Sequence, residues 1–425
     1  MLRTTTPRTR PGFTLVELMV SAAVCVLIMA ILATVFQLSI DTMRQMKSTG
    51  DLMTQLRAAG EVVKRDLQAD HFAEADNKNK LSDQSLDKLR VDDTMPINPP
   101  PPGTPGRFVL RGWSPPANGG FFRIKSTPAP LTPTPGSAAV TEGQDGDGLL
   151  SSRATDHYLH FTSILDASDG NPYTAVVNGR PYTKRAAEIA YFLDPTESGT
   201  TGGTGTTKLY HLIRRQRLAA TSPSDLTADP LPASDPAVIS VRPSGANYVV
   251  NTLADLTNPN NRLGGGVGAH PKLAAGNDTQ LATISASPNL IGDDILISNV
   301  ISFEVKVQWQ ANADPKLPTS ANPVAFPGNT DDPFDALPPV PTAGNTTLTG
   351  QRVFDSWTAG STTMANPADP IWSDLDPTSG SFKAGANGKP NAIPLLIRVK
   401  AVQIHIRVFD PKLKTTRQMT IVQDL

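Results

Sequence analysis

The sequence predicts an α+β fold: one long N-terminal helix packed on an antiparallel β-sheet that carries long Pro/Gly-rich insertions. Three observations predict it. An uncharged apolar run from Leu18 to Ile40 passes directly into a polar stretch that keeps a helical stripe. Beyond residue 118, strand-like segments alternate with loops. Pro and Gly together supply 39 and 32 of 425 residues, more than the usual share of roughly 12%, so irregular insertions take up much of the chain and the core is smaller than the length suggests.

Composition narrows the function classes. The formal net charge is −1, which offers no basic face for nucleic acid. Cys25 is the one cysteine and lies inside the apolar run, so an intramolecular disulfide and a cysteine zinc site are both excluded. Any exported domain must hold together by packing alone.

The helix comes first. Residues 1 to 11 carry Arg3, Arg8 and Arg10 and no acid. The charge-free run that follows spans about 23 residues, roughly 35 Å as a helix, enough to cross a hydrocarbon core of about 30 Å. Basic residues before it and none directly after it predict a cytoplasmic N-terminus with the bulk of the chain outside. A cleaved secretory signal shares this charge pattern, but its apolar region is shorter and ends at a small-x-small site, which "ILATVFQLS" matches poorly. A plain signal anchor fits the length but leaves Glu17 unexplained, since a carboxylate in hydrocarbon is costly unless paired. Snorkelling to the headgroups is the plain alternative for an acid only one turn inside the helix.

Beyond Ile40 the stripe Leu52, Leu56, Ala59, Val63 and Leu67 recurs at spacings of three and four, as on one face of an amphipathic helix. Gly50 and Gly60 weaken this helix without ending it. One helix is therefore expected from about Phe13 to about Ala69, with two helices hinged within 41–50 as the alternative.

The strands follow in order. "GGFFRIKS" (119–126) and "DHYLHFTSIL" (156–165) read as strands. "RAAEIAYFLDP" (185–195) and "TKLYHLIRRQRLA" (207–219) read as a hairpin with a long Gly/Thr loop. "DDILISNVISFEVKVQWQ" (293–310), "AIPLLIRVKAVQIHIRVFDP" (392–411) and "TTRQMTIVQD" (415–424) complete the set. Insertions are placed near 92–136, 220–290 and 311–391. The tracts "PINPPPPGTPG" (96–106) and "TPAPLTPTPG" (127–136) favour extended polyproline conformations, and the two later insertions carry no separate core but can fold over the sheet.

Several candidate sites carry little. Asp145 and Asp147 in "GQDGDG" suggest a calcium loop, but the twelfth position counted from Asp145 is Asp156 rather than Glu, and an Asp-Gly turn needs no metal. His157 and His160 would share a helix face, yet the segment alternates like a strand and turns them to opposite sides. "GGTGTTK" (202–208) lacks the Ser or Thr after Lys208 that a phosphate loop requires. "RRQR" (214–217) reads as a solvated strand end, with a protein contact as the alternative. No nucleophile, base and acid stand together, so no enzyme activity, cofactor or metal is expected.

The stretch "GFTLVE" (12–17) resembles the prepilin-type cleavage and methylation motif of type IV pilins and type II secretion pseudopilins. The resemblance implies a basic leader over 1–12, prepilin peptidase cutting between Gly12 and Phe13, N-methylation of Phe13, and pairing of Glu17 with the N-terminal amine of a neighbouring subunit. It implies a pilin-like plan: residues 13–40 in the membrane, 41–71 as the amphipathic half of the helix, and 72–425 as a β-rich domain. The strand run is similar to that of minor pseudopilins of the J type, and the long layout to the Verru_Chthon cassette protein C family. The expected role is a single-pass subunit of the bacterial inner membrane with a periplasmic domain. It would join other pilin-like subunits in a filament that supports export of a protein substrate. An anchored binding or adaptor module is the alternative, and an anchored hydrolase the least favoured.

Overall fold

The computed structural model describes residues 12, 14–73, 90–92, 112–114, 119–126, 154–166, 170–193, 199–200, 208–233, 235–244, 247–258, 261–263, 293–311, 334, 337, 353–356, 371–372, 397–411 and 414–425. Phe13, Asp145, Asp147, both proline tracts and the loop 201–207 lie outside them.

One unbroken helix, α1 (Leu15–Gln68, 54 residues), runs through both the apolar and the amphipathic stretch, roughly 80 Å at about 1.5 Å per residue. There is no break at 41–50, because nothing there removes a backbone hydrogen bond and Gly50 alone costs only about 1 kcal/mol. In chain order follow β1 (Arg90–Asp92), β2 (Gly112–Ser114), β3 (Phe122–Lys125), β4 (Tyr158–Ile164), β5 (Tyr173–Val177), β6 (Arg180–Lys184), β7 (Ala186–Leu193), β8 (Gly199–Thr200) and β9 (Lys208–Ala219). Then come α2 (Pro223–Ala228), β10 (Val241–Ser244), β11 (Asn247–Val250), a 3-10 turn (Asp255–Thr257), β12 (Asp293–Ala311), β13 (Val353–Asp355), β14 (Ile371–Trp372), β15 (Ile397–Asp410) and β16 (Thr415–Asp424). This is an α+β, pilin-like arrangement.

A ten-stranded sheet runs β14-β13-β3-β4-β7-β9-β12-β15-β16, with β8 beside β9. Its pairings are antiparallel except β13 with β14. The segments expected to pair as a hairpin do so, from Ala186↔Ala219 to Leu193↔Leu212. β12 is irregular against both neighbours near residues 295–302. Asn299 takes φ 59° there, the left-handed backbone that Asn tolerates in a bulge.

β4 and β7 are buried on every residue, because both faces of the sheet's centre are covered. One face receives the α1 stripe, and Leu56, Ala59, Val63 and Leu67 are all buried as the periodicity predicts. The other is covered by residues within 220–263, among them Leu253, Leu256 and Leu263, which are buried. Gly60 has a packing reason: a Cβ there would meet Met419 Cε of β16 at 2.7 Å. At Gly120, φ is +89° and a Cβ would meet the His71 carbonyl at 2.2 Å, so the chain leaving α1 can cross it only where no side chain exists.

"RRQR" is not a solvated edge. It lies in β9 between β7 and β12, and Arg214, Arg215 and Arg217 are all buried. Alternation turns the arginines to both covered faces, and each face supplies an acid.

Candidate functional site

Thr14 and Glu17 of the motif meet at the start of α1. Thr14 is the helix N-cap, with extended backbone at φ −76° and ψ 151°. Its hydroxyl accepts from the Glu17 N–H at 3.3 Å, while Glu17 Oε2 accepts from the Thr14 N–H and from Thr14 Oγ1, both at 2.9 Å. This is a reciprocal capping box, in which Ser or Thr at the cap and Glu three residues on satisfy each other's backbone donors. A carboxylate in the first turn also faces the positive end of the helix dipole. Among the described residues, Glu17 Oε1 has no hydrogen-bond partner. Gly12 is exposed, and a Cβ there would meet nothing within 4 Å. Phe13 between them lies outside the described residues, so the structure places two of the three expected site residues.

From Leu15 to Ile40 the helix stands clear of the sheet. Its apolar window is 0% buried, whereas a core helix of a globular protein would be mostly covered. This helix is long and apolar enough to cross a membrane. Met43 and Met46 continue the exposed apolar surface beyond Ile40.

The helix is then clamped to the sheet. Ser48 Oγ donates to Asp410 Oδ2 at 2.7 Å. Near the other end Asp66, fully buried, accepts from Arg214 Nε at 2.6 Å and from the Tyr191 hydroxyl at 2.5 Å, while Arg65 Nη2 reaches its second oxygen at 3.1 Å. Tyr191 and Arg214 are cross-strand partners, which fixes both on the helix face. Burial and then the neighbouring Asp66 charge push the Tyr191 phenol well above its ordinary range. It therefore stays a neutral donor.

A second buried network secures the opposite face. Glu188 meets His160 Nε2 at 3.0 Å, Arg217 Nη1 at 3.4 Å, Ser240 Oγ at 2.6 Å and the Leu263 N–H at 2.6 Å. Burial alone would raise the Glu188 pKa, but the Arg217 charge and the His160 hydrogen bond hold it down at about 2. Burial lowers the His160 pKa. Arg262 pairs with Asp355 at 2.6 Å and lies over the Phe121 ring at 3.9 Å. Glu188 and His160 are 1% and 0% exposed, so these groups tie residues 240–263 to the sheet and present nothing to solvent. His157 Nδ1 accepts from the Val305 N–H at 3.0 Å. Asp156, at the twelfth position of the suggested calcium loop, pairs with Lys125 at 2.8 Å. No group of three His, Cys, Asp or Glu side chains that could hold a metal occurs among the described residues.

Two signals for these contacts are legible in the sequence. "TLVE" ahead of an apolar run is a capping-box pattern. Asp66 falls on the apolar face of α1, and Glu188 sits within an otherwise apolar strand, so each calls for a buried partner.

The family described as the prokaryotic N-terminal methylation motif matches residues 7–33. No curated protein and no solved structure matches the chain. The match runs from residue 7 into the apolar half of α1, and it supports a type IV pilin-like, single-pass anchored protein. The motif implies processing by prepilin peptidase and assembly with other pilin subunits.

Proposed function

We propose that this chain is a structural subunit of the minor pseudopilin type. Prepilin peptidase cuts between Gly12 and Phe13, the freed Phe13 amine is methylated, and the protein joins a type II secretion or type IV pilus-like filament that supports protein export. The domain faces the periplasm from the inner membrane, and the work is assembly rather than catalysis. The observation that carries this is "GFTLVE", whose Thr14 and Glu17 cap an apolar helix that none of the described residues covers. The capping box supports a role for Glu17. One carboxylate oxygen accepts from Thr14, and in this reading the other pairs with a neighbour's Phe13 amine while the cap stays formed. A charge paired in hydrocarbon is tolerable where a lone one is not.

The test uses full-length chains in a cell that carries prepilin peptidase and its other pilin-like subunits. Gly12→Lys is expected to leave the leader attached, seen as a band of unprocessed mobility. Glu17→Ala is expected to be processed normally but to lose cross-links to those subunits. Equal processing of wild type and Gly12→Lys overturns the cleavage assignment, and normal cross-linking of Glu17→Ala overturns the role of Glu17.

A further inference from the structure

Residues 261–263 lie on the sheet as a short strap. Leu263 packs on Tyr158, Ala190, Phe192 and Ile213 of β4, β7 and β9. The Asn251 side-chain amide donates to the Asn261 carbonyl at 2.7 Å, and Arg262 pairs with Asp355 at 2.6 Å. The Leu263 N–H donates to Glu188 Oε1 at 2.6 Å, and His160 Nε2 meets that same oxygen at 3.0 Å. The strap and the histidine therefore share one acceptor.

An ionised carboxylate only accepts, so His160 carries its proton on Nε2, and Nδ1 is the atom that a second proton would enter. Nδ1 is buried without a hydrogen-bond partner, and the Phe121 ring stands edge-on to the imidazole at 4.8 Å. A proton there would have nothing to donate to. The charged groups around the ring are Glu188 on β7, Arg123, its cross-strand partner on β3, and Arg262 on the strap. Arg217 on β9 and Asp355 on β13 pair with these. Among the described residues the cluster thus sets three guanidiniums against two carboxylates, all buried, and a protonated His160 would add to the excess. Lifting the strap would admit water to the ring and take Arg262 away from it, and both favour the proton.

We propose that residues 261–263 form an acid-released strap, opened when His160 takes up a proton. The open form binds that proton near the ordinary histidine value of about 6.5, whereas burial lowers the value in the closed form. Opening is therefore favoured as pH falls through 6.5. The test is residue-resolved amide hydrogen exchange on the full-length chain in detergent micelles at pH 7.5 and 5.5, corrected for intrinsic exchange. The probe is the Leu263 amide, and the Ile164 amide, bonded to the Asp70 carbonyl, reports on the sheet. Leu263 is expected to exchange faster than Ile164 at both pH values, with an opening constant about tenfold larger at pH 5.5. His160→Gln, which keeps an N–H donor for Glu188, is expected to remove that pH dependence, and His71→Gln to leave it. A Leu263 opening constant equal at the two pH values overturns the strap. So does Leu263 exchanging no faster than Ile164, or a pH dependence that follows His71 rather than His160. Should His160→Gln fail to fold, wild type and His71→Gln decide alone.

Discussion

Glu17 is three residues past Thr14, and that spacing makes it a cap before it is anything else. In the single chain its Oε2 accepts from the Thr14 amide and hydroxyl at 2.9 Å. Thr14→Val, which keeps the shape and removes the hydroxyl, is expected to fray the first turn by about 1 kcal/mol. The measurement is amide exchange at Glu17 and Leu18 in lipid micelles, where roughly fivefold faster exchange follows from that energy. The motif was legible from its residues. Its capping geometry was legible too, since Thr-x-x-Glu before an apolar run is a local pattern that needs no tertiary contact.

At the scale of elements, α1 belongs to two environments, and Asp66 is one of the groups that join its outer half to the sheet. Removing one member of a buried pair leaves the other charge uncompensated, which costs about 3–5 kcal/mol. Asp66→Ala is expected to destabilise the domain by that amount in denaturant titration. The double variant Asp66→Leu with Arg214→Met is expected to recover most of the loss. Equal losses in the single and double variants would show that the pair is not coupled. Period-two alternation and flanking turn residues located each expected strand of the sheet, because those signals are local. The hairpin of β5 and β6 is absent from that expectation, although Asn178 and Gly179 at φ 50° and 77° are the residues a two-residue turn demands. "RRQR" was misplaced for a different reason: four polar residues in a row look solvated until the acids that neutralise them are brought from residues 66 and 188.

The whole molecule buries neutral histidines beside ionised acids, and this makes it acid-labile. His71 is packed against Phe122 and Phe161, with Nδ1 on the Thr162 carbonyl at 2.8 Å, and burial lowers its pKa from 6.5 to about 4. The unfolded chain takes up a proton below pH 6.5 that the folded chain refuses until about pH 4. Stability present above 6.5 is therefore lost across that window, by about 3 kcal/mol. Glu188 acts lower down. Its carboxyl is ionised in the fold down to about pH 2 against an ordinary value of 4.5, so its contribution is lost as pH falls from 4.5 towards 2. Unfolding free energies of the wild type and His71→Gln across pH 7 to 3 check this. The variant is expected to be flatter between 6.5 and 4 and parallel to wild type below, and an unchanged slope overturns the assignment.

The amino-acid sequence alone determined the N-terminal motif, the length and two-part character of the helix, the α+β class and the places of the main strands. Each of these is written in short spacings or in 3.6- and two-residue periods, which act along the chain. Tertiary structure alone decided the strand order, the use of residues within 220–263 as a cover, and the pairing of Asp66 with Arg214 and of Glu188 with Arg217. Those depend on contacts between residues far apart in sequence, where burial turns a polar side chain from a solvated group into one that must find a specific partner.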